Sequence, residues 1–171
     1  MAFKDAAADY IDDANAVTLG ALREAILACP SYTPTPRFML DARRLAASGR
    51  HWEAINLVAQ WMPGAFLSPS AHSLLAESLA AVGDDAEAGR ERFLTRLAIQ
   101  TLIRTGDGSR ERPWIVLRVD DEYDLLRWTR RTPVQQRLAI TAQGPRDVIE
   151  HDRGESWFAI YRSARPAGAS A

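Results

Sequence analysis

The chain has 171 residues, 47% hydrophobic and 25% charged, with 21 Lys and Arg set against 22 Asp and Glu. That balance excludes a disordered tail, a collagen-like fibre and a strongly basic nucleic-acid packaging protein. Cys29 is the only cysteine, which excludes an intrachain disulfide. A chain of this length buries roughly 70% of its unfolded surface, enough for a core without staples.

Met1 to Asp13 contains neither a basic n-region nor an apolar h-region, and no apolar run approaches a membrane span. The expected location is the cytoplasm, with no membrane partner. Residues 5–28 carry helical spacing: Tyr10, Ala14, Val17, Ala21, Ala25 and Ala28 fall on one stripe, reinforced by Ile11, Leu22 and Ile26. Pro30 ends this helix. Ser31 to Pro36 holds Pro34 and Pro36, which lack a donor and restrict the residues before them, so it reads as an extended connector.

A repeat with a period of 34 residues follows. Leu45-Ala46-Ala47-Ser48-Gly49 recurs as Leu79-Ala80-Ala81-Val82-Gly83, and Glu53-Ala54 recurs as Glu87-Ala88. This is the spacing of tetratricopeptide units, each a helix, a tight turn and a second helix. Gly49 and Gly83 allow the left-handed backbone that closes a first helix. Ala42, Ala54, Ala76 and Ala88 are small where helices must approach. The units are expected at 35–68 and 69–102, with Ser68 or Ser70 capping the second and a long helix running from Gly83 to about Arg104.

The pattern changes at Thr105-Gly106-Asp107-Gly108-Ser109, a turn cluster. Trp114 to Val119 reads as a strand. Asp120 to Trp128 reads as a short helix, acidic at its start and basic after its end, as the helix dipole favours. Strands are expected at 136–142, 147–151 and 156–162, joined by short turns and therefore antiparallel. The expected class is α+β. Residues 1–104 form helical, tetratricopeptide-like hairpins in a right-handed stack, packed with a small α+β unit at 105–163. That unit is a mainly antiparallel four-stranded sheet with one short helix. Residues 164–171 are expected to form a disordered tail. Two repeat units lack caps and a lone sheet lacks a cover, so one integrated globule is expected.

Several of these pieces occur in one order. Leu22-Arg23-Glu24-Ala25 is followed by Pro30, Tyr32 and Pro34, then by Ala71-His72 before a helix ending at Gly83-Asp84. Thr105-Gly106-Asp107-Gly108, Asp121-Glu122-Tyr123, Asp147-Val148 and Trp157-Phe158-Ala159-Ile160 complete the set. In this order, over about residues 20–162, the chain resembles a bacterial domain family of unknown function marked by a Ser-Gly-Asp-Gly turn and a Glu-Glu-Tyr helix. It departs in Thr105 and Asp121. The resemblance implies helical repeats with a small sheet and implies no activity.

No nucleophile elbow, dinucleotide fingerprint, Walker A loop or metal-ligand spacing is visible, and no cofactor, metal or catalytic residue is expected. His51, His72 and His151 stand far apart and read as packing residues, as do the five tryptophans. The leading expectation is a non-enzymatic interaction or scaffold module. The first helices of the two units would form its groove, lined by Met39, Arg43, Ala46, Ser73, Glu77 and Ala80, for a charged peptide or protein partner. The alternative is a hydrolase-like or ligand-binding protein whose junction site uses Asp107, Asp121, Glu122 and Tyr123. A second alternative is weak nucleic-acid binding through Arg127, Arg130, Arg131 and Arg137 with Trp128, against which the acidic residues just upstream weigh.

Overall fold

The computed structural model describes residues 2–162; the tail expected at 164–171 and the end of the 105–163 unit lie outside the described residues. Among the described residues, seven helices and a mixed four-stranded sheet make an α+β architecture. In chain order the elements are α1 (Phe3–Asp12), α2 (Ala16–Leu27), α3 (Phe38–Ala47), α4 (His51–Ala59), α5 (Pro69–Ala81), α6 (Asp85–Ile103), β1 (Trp114–Val116), α7 (Val119–Trp128), β2 (Pro133–Thr141), β3 (Gly144–His151) and β4 (Gly154–Ile160). Among the described residues no helix is long and apolar enough to cross a membrane.

The single helix expected at 5–28 is two helices. Asn15 breaks it by accepting hydrogen bonds from the amides of Val17 (2.8 Å) and Thr18 (3.1 Å), which starts α2 afresh. Val17 is therefore exposed, while Leu22 and Ile26 carry the burial. The α1–α2 pair packs with Leu67 and Leu117. Thr101 gives its proton to the Leu97 carbonyl, so the Tyr10 hydroxyl donates to Thr101, at 2.7 Å, and ties α1 to α6.

Helices α3 to α6 contact in sequence order, and α3 also touches α5. Phe38, Val58, Leu74, Leu75 and Leu79 form their core, with Trp61 stacked on Phe38 at 4.8 Å. The two repeated glycines end α3 and α5 in the same way. Gly49 has φ 77° and Gly83 φ 84°. The Arg50 amide reaches back to the Leu45 carbonyl and the Asp84 amide to the Leu79 carbonyl, both at 2.9 Å. This six-residue closure needs a left-handed residue at its corner. Nothing crowds a Cβ at Gly83, so Gly83→Ala is expected to cost about 1–2 kcal/mol, all of it backbone strain, in chemical denaturation.

The sheet order is β1-β4-β3-β2, with β1 parallel to β4 and the other neighbours antiparallel. The strands are displaced from the expected spans: β1 ends at Val116, and β2 and β3 each begin three residues early. Trp114, Ile149 and Phe158 share the face covered by α7 through Leu125 and Leu126, joined by Leu102 of α6. Each fully buried Leu, Ile or Phe there contributes about 1.5–3 kcal/mol. The β1 edge is closed by side chains. The Ile115 amide donates to Thr105 Oγ1 at 2.8 Å, and the Ile115 carbonyl accepts from Arg23 Nη2 at 3.0 Å.

Candidate functional site

A groove of about 710 Å³ lies where α3, α5, α6 and α7 meet. Its lining includes Arg43, Ser70, Ser73, Glu77, Thr95, Asp124, Arg127, Trp128 and Arg130, over apolar Leu74 and Ile99. Three of the six residues expected to face a groove, Arg43, Ser73 and Glu77, are here. Met39 is not: it is buried in the core between the helices. Ala46 and Ala80 pack against that same core, partly buried. The repeat period places residues on a helix but does not decide which flank turns inward, and α7 supplies the wall that periodicity cannot reveal.

Asp124 organises the groove. It is only 5% exposed. Its Oδ2 accepts the Ser70 amide at 2.9 Å and its Oδ1 accepts the Ser70 hydroxyl at 2.5 Å. Arg127 donates to Oδ1 at 3.0 Å, and Arg43 donates to Ser70 Oγ at 3.0 Å. The carboxylate thus satisfies the first turn of α5, which Ser68 also caps through the Ala71 amide. Docked this way, Asp124 is spent on the protein. Glu77, which accepts from Ser73 at 3.2 Å, is the remaining carboxylate of a lining that also holds Arg43, Arg130 and the already paired Arg127. The Trp128 ring is half exposed beside them.

Arg130 has φ 55° in the turn that ends α7, where the Arg131 amide returns to the Leu126 carbonyl at 2.9 Å. A glycine would hold this left-handed position without strain, whereas arginine costs about 1–2 kcal/mol.

The four candidate junction residues do not share one site. Asp107 is exposed in its turn. Its Oδ1 accepts the Ser109 amide at 3.0 Å, Arg112 lies 3.5 Å away, and the Ser109 hydrogen bonds hold its carboxyl below the usual range. Asp121 is buried at the start of α7. One of its oxygens accepts the amides of Leu117 (3.2 Å) and Arg118 (3.0 Å), with the Arg118 guanidinium at 4.0 Å. Burial pushes this carboxyl up to about 7 against the pull of Arg118 and the two amides. Arg118 itself is buried. It donates to the Thr33 carbonyl at 3.0 Å and to the Gly64 carbonyl, and lies over the Tyr32 ring at 4.9 Å. Arg118 and Asp121 thus clamp two connecting loops to the β1–α7 corner.

Glu122 is fully buried on the sheet side of α7. Burial first, and then the Asp147 carboxylate beside it, push Glu122 up to about 9, so it holds a proton at neutral pH. Gln136 of β2 donates to Glu122 at 3.3 Å and accepts the Tyr123 hydroxyl at 2.7 Å. Among the described residues no group of three or more His, Cys, Asp or Glu is placed to hold a metal ion.

His72 is buried with both ring nitrogens engaged, Nδ1 with Glu91 at 2.5 Å and Nε2 with the Phe66 carbonyl at 2.7 Å. His151 accepts the Arg153 amide on Nδ1, so its Nε2 donates to Ser156, at 2.9 Å. The arginines of the expected basic patch are dispersed. Arg127 and Arg130 face the groove. Arg131 stacks on Trp114 and donates to Ser156. Arg137 lies over Trp157 on the other face of the sheet, paired with Glu155 at 2.8 Å. No family model, no curated protein and no solved structure matches this chain.

Proposed function

We propose that α3–α6 are two tetratricopeptide-like units, and that the groove they form with α7 binds a short acidic segment of a cytoplasmic protein partner. The protein is then a non-enzymatic interaction module, and the reading extends to the uncharacterised bacterial family it resembles. One observation carries the proposal: with Arg127 already paired to the docked Asp124, the lining still sets Arg43, Arg130 and a half-exposed Trp128 against the single carboxylate of Glu77. Such a surface favours carboxylates for the guanidinium forks and an apolar or aromatic side chain for the indole. Arg130 adds support, since a strained residue kept where glycine is cheaper points to use of its side chain.

Fluorescence anisotropy with pools of short random peptides, acidic or basic and each containing an aromatic residue, tests the reading. Acidic pools are expected to bind and basic pools not to. Arg130→Gly is expected to leave the fold intact, even stabilise it by about 1 kcal/mol, while weakening acidic peptides about tenfold, the worth of one charge-assisted hydrogen bond. Equal binding of basic pools, or undiminished binding in Arg43→Ala and Arg130→Gly together, overturns it.

A further inference from the structure

We propose that the β2 edge is a homodimer seam, at which β2 of one copy pairs antiparallel with β2 of a second copy to join two sheets into one. The inference is independent of the groove. The sheet treats its two edges oppositely. Three-residue β1 is closed by Arg23 and Thr105, whereas among the described residues nine-residue β2 pairs on one side only, with β3. Native edges of that length are normally protected by charge or covered. Here the protection is Pro133, the register shift beside it and Arg137, whose charge is drawn to Glu155 and Trp157 on the far face of the sheet. Beside them Val134, Leu138 and Ile140 are 71%, 65% and 78% exposed.

The register shows which residues the edge offers. In an antiparallel ladder alternate residues bond alternate neighbours. Pro145, opposite Ile140, has no N–H to give, so the bonded partners of β3 are Ala139 and Arg137, opposite Arg146 and Val148. Gln136, Leu138 and Ile140 therefore turn their amides and carbonyls outward. Their side chains share the α7 face, because Leu138 lies opposite Asp147, which lies opposite Phe158.

The strand's own charge selects the partner and the register. Arg137 is the one charged residue of β2. A two-fold centred on Arg137 sets guanidinium against guanidinium, which is unfavourable. Centred on Leu138, the two-fold sets Leu138 against the second copy's Leu138, Gln136 against Ile140 and Arg137 against Ala139. No like charges then meet, and about six ladder hydrogen bonds form. The two-fold runs perpendicular to the sheet, so both copies' Leu138 and Ile140 fall on one face, between the two α7 helices. A second copy thus meets this edge with no like charges opposed and with Leu138 packed on its own counterpart, and the contact is isologous and closed.

Sedimentation velocity across a concentration series tests the seam. The mass is expected to rise from 18.9 kDa to twice that value. Leu138→Lys, which opposes two lysines at the two-fold, is expected to weaken dimerisation about tenfold or more, while Val17→Lys on distant α2 leaves it unchanged. In the dimer, hydrogen exchange of the Gln136, Leu138 and Ile140 amides is expected to slow relative to the Leu138→Lys monomer. A single-chain mass at every concentration, a dimer undiminished by Leu138→Lys, or exchange unchanged at those three amides overturns the proposal. Circular dichroism identical to the parent confirms that the lysine variant is folded, and Ile140→Lys serves in its place if it is not.

Discussion

Replacing Asp121 with alanine is expected to lower the unfolding free energy by about 2–4 kcal/mol near pH 4.5, where the buried carboxyl keeps its proton in the fold. The loss has two parts. The amides of Leu117 and Arg118 lose their shared acceptor inside the protein, and each unsatisfied buried donor costs about 1–3 kcal/mol. The Arg118 guanidinium, 2% exposed, then loses its nearest carboxyl and keeps its charge against the Thr33 and Gly64 carbonyls, the Tyr32 ring and the more distant Asp120. Arg118→Ala is expected to cost a similar amount by freeing the loops at Thr33 and Gly64, to which no other side chain of the β1–α7 corner reaches in the same way. The double variant is expected to cost less than the sum of the two, because each single change already strands the other's partner. Denaturant unfolding at 25 °C reads all three. A loss below about 1 kcal/mol for Asp121→Ala, or simple additivity, contradicts the clamp.

The clamp bears on function because it orients α7. Asp121 sits one turn before Asp124 on the same helix, and Asp124 docks onto α5 through Ser70. A helix set by Asp121 at its start and Asp124 at its middle presents Arg127 and Trp128 to the groove at a fixed height. If the groove binds an acidic peptide as proposed, that affinity is expected to fall in Asp121→Ala even where the protein remains folded.

Local signals made much of the architecture legible. The glycines at 49 and 83 and the Leu-Ala-Ala runs before them locate two helix ends that close with the same hydrogen bonds. The acidic start and basic end of 120–131 locate α7. What stayed hidden depends on residues far apart in sequence. Asp124 reads as one member of an acidic cluster and becomes a structural acceptor only because α5 begins beside it. Met39 shares the helix spacing of the groove residues, yet its flank is turned to the core. The break at Asn15 was local but masked by an apolar stripe running through it, although Asn15 with Thr18 three residues on is a capping pattern. The early start of β2 escapes because its side chains are exposed, so no alternation of burial marks it. Glu122 looks like a helix-start acid and is instead a buried neutral one, a difference created by Asp147 from another strand.

That difference fixes the sign of the second large effect. Glu122 rises from an unfolded value of 4.5 to about 9 in the folded protein. The unfolded chain therefore releases this proton first as pH rises, and the stability contributed by the protonated form is fully present below about 4.5 and lost progressively up to about 9. One such group gives a slope of at most about 1.4 kcal/mol per pH unit over that window. Glu122→Gln keeps a donor for Asp147 and an acceptor for Gln136 but has no proton to lose. The variant is expected to match the parent near pH 4.5 and to be about 3–4 kcal/mol more stable near pH 7.5. Asp121, raised to about 7, shifts stability in the same direction at lower pH in both proteins, and its charge is one of the causes that raise Glu122, so that coupling is part of the difference. Urea unfolding of parent and variant across pH 4.5–8.5 measures that difference directly. A difference that stays flat, or a variant that loses ground as pH rises, means that Glu122 is ionised in the fold. In that case Gln136 and Tyr123 must be solvating an anion rather than reading a neutral acid.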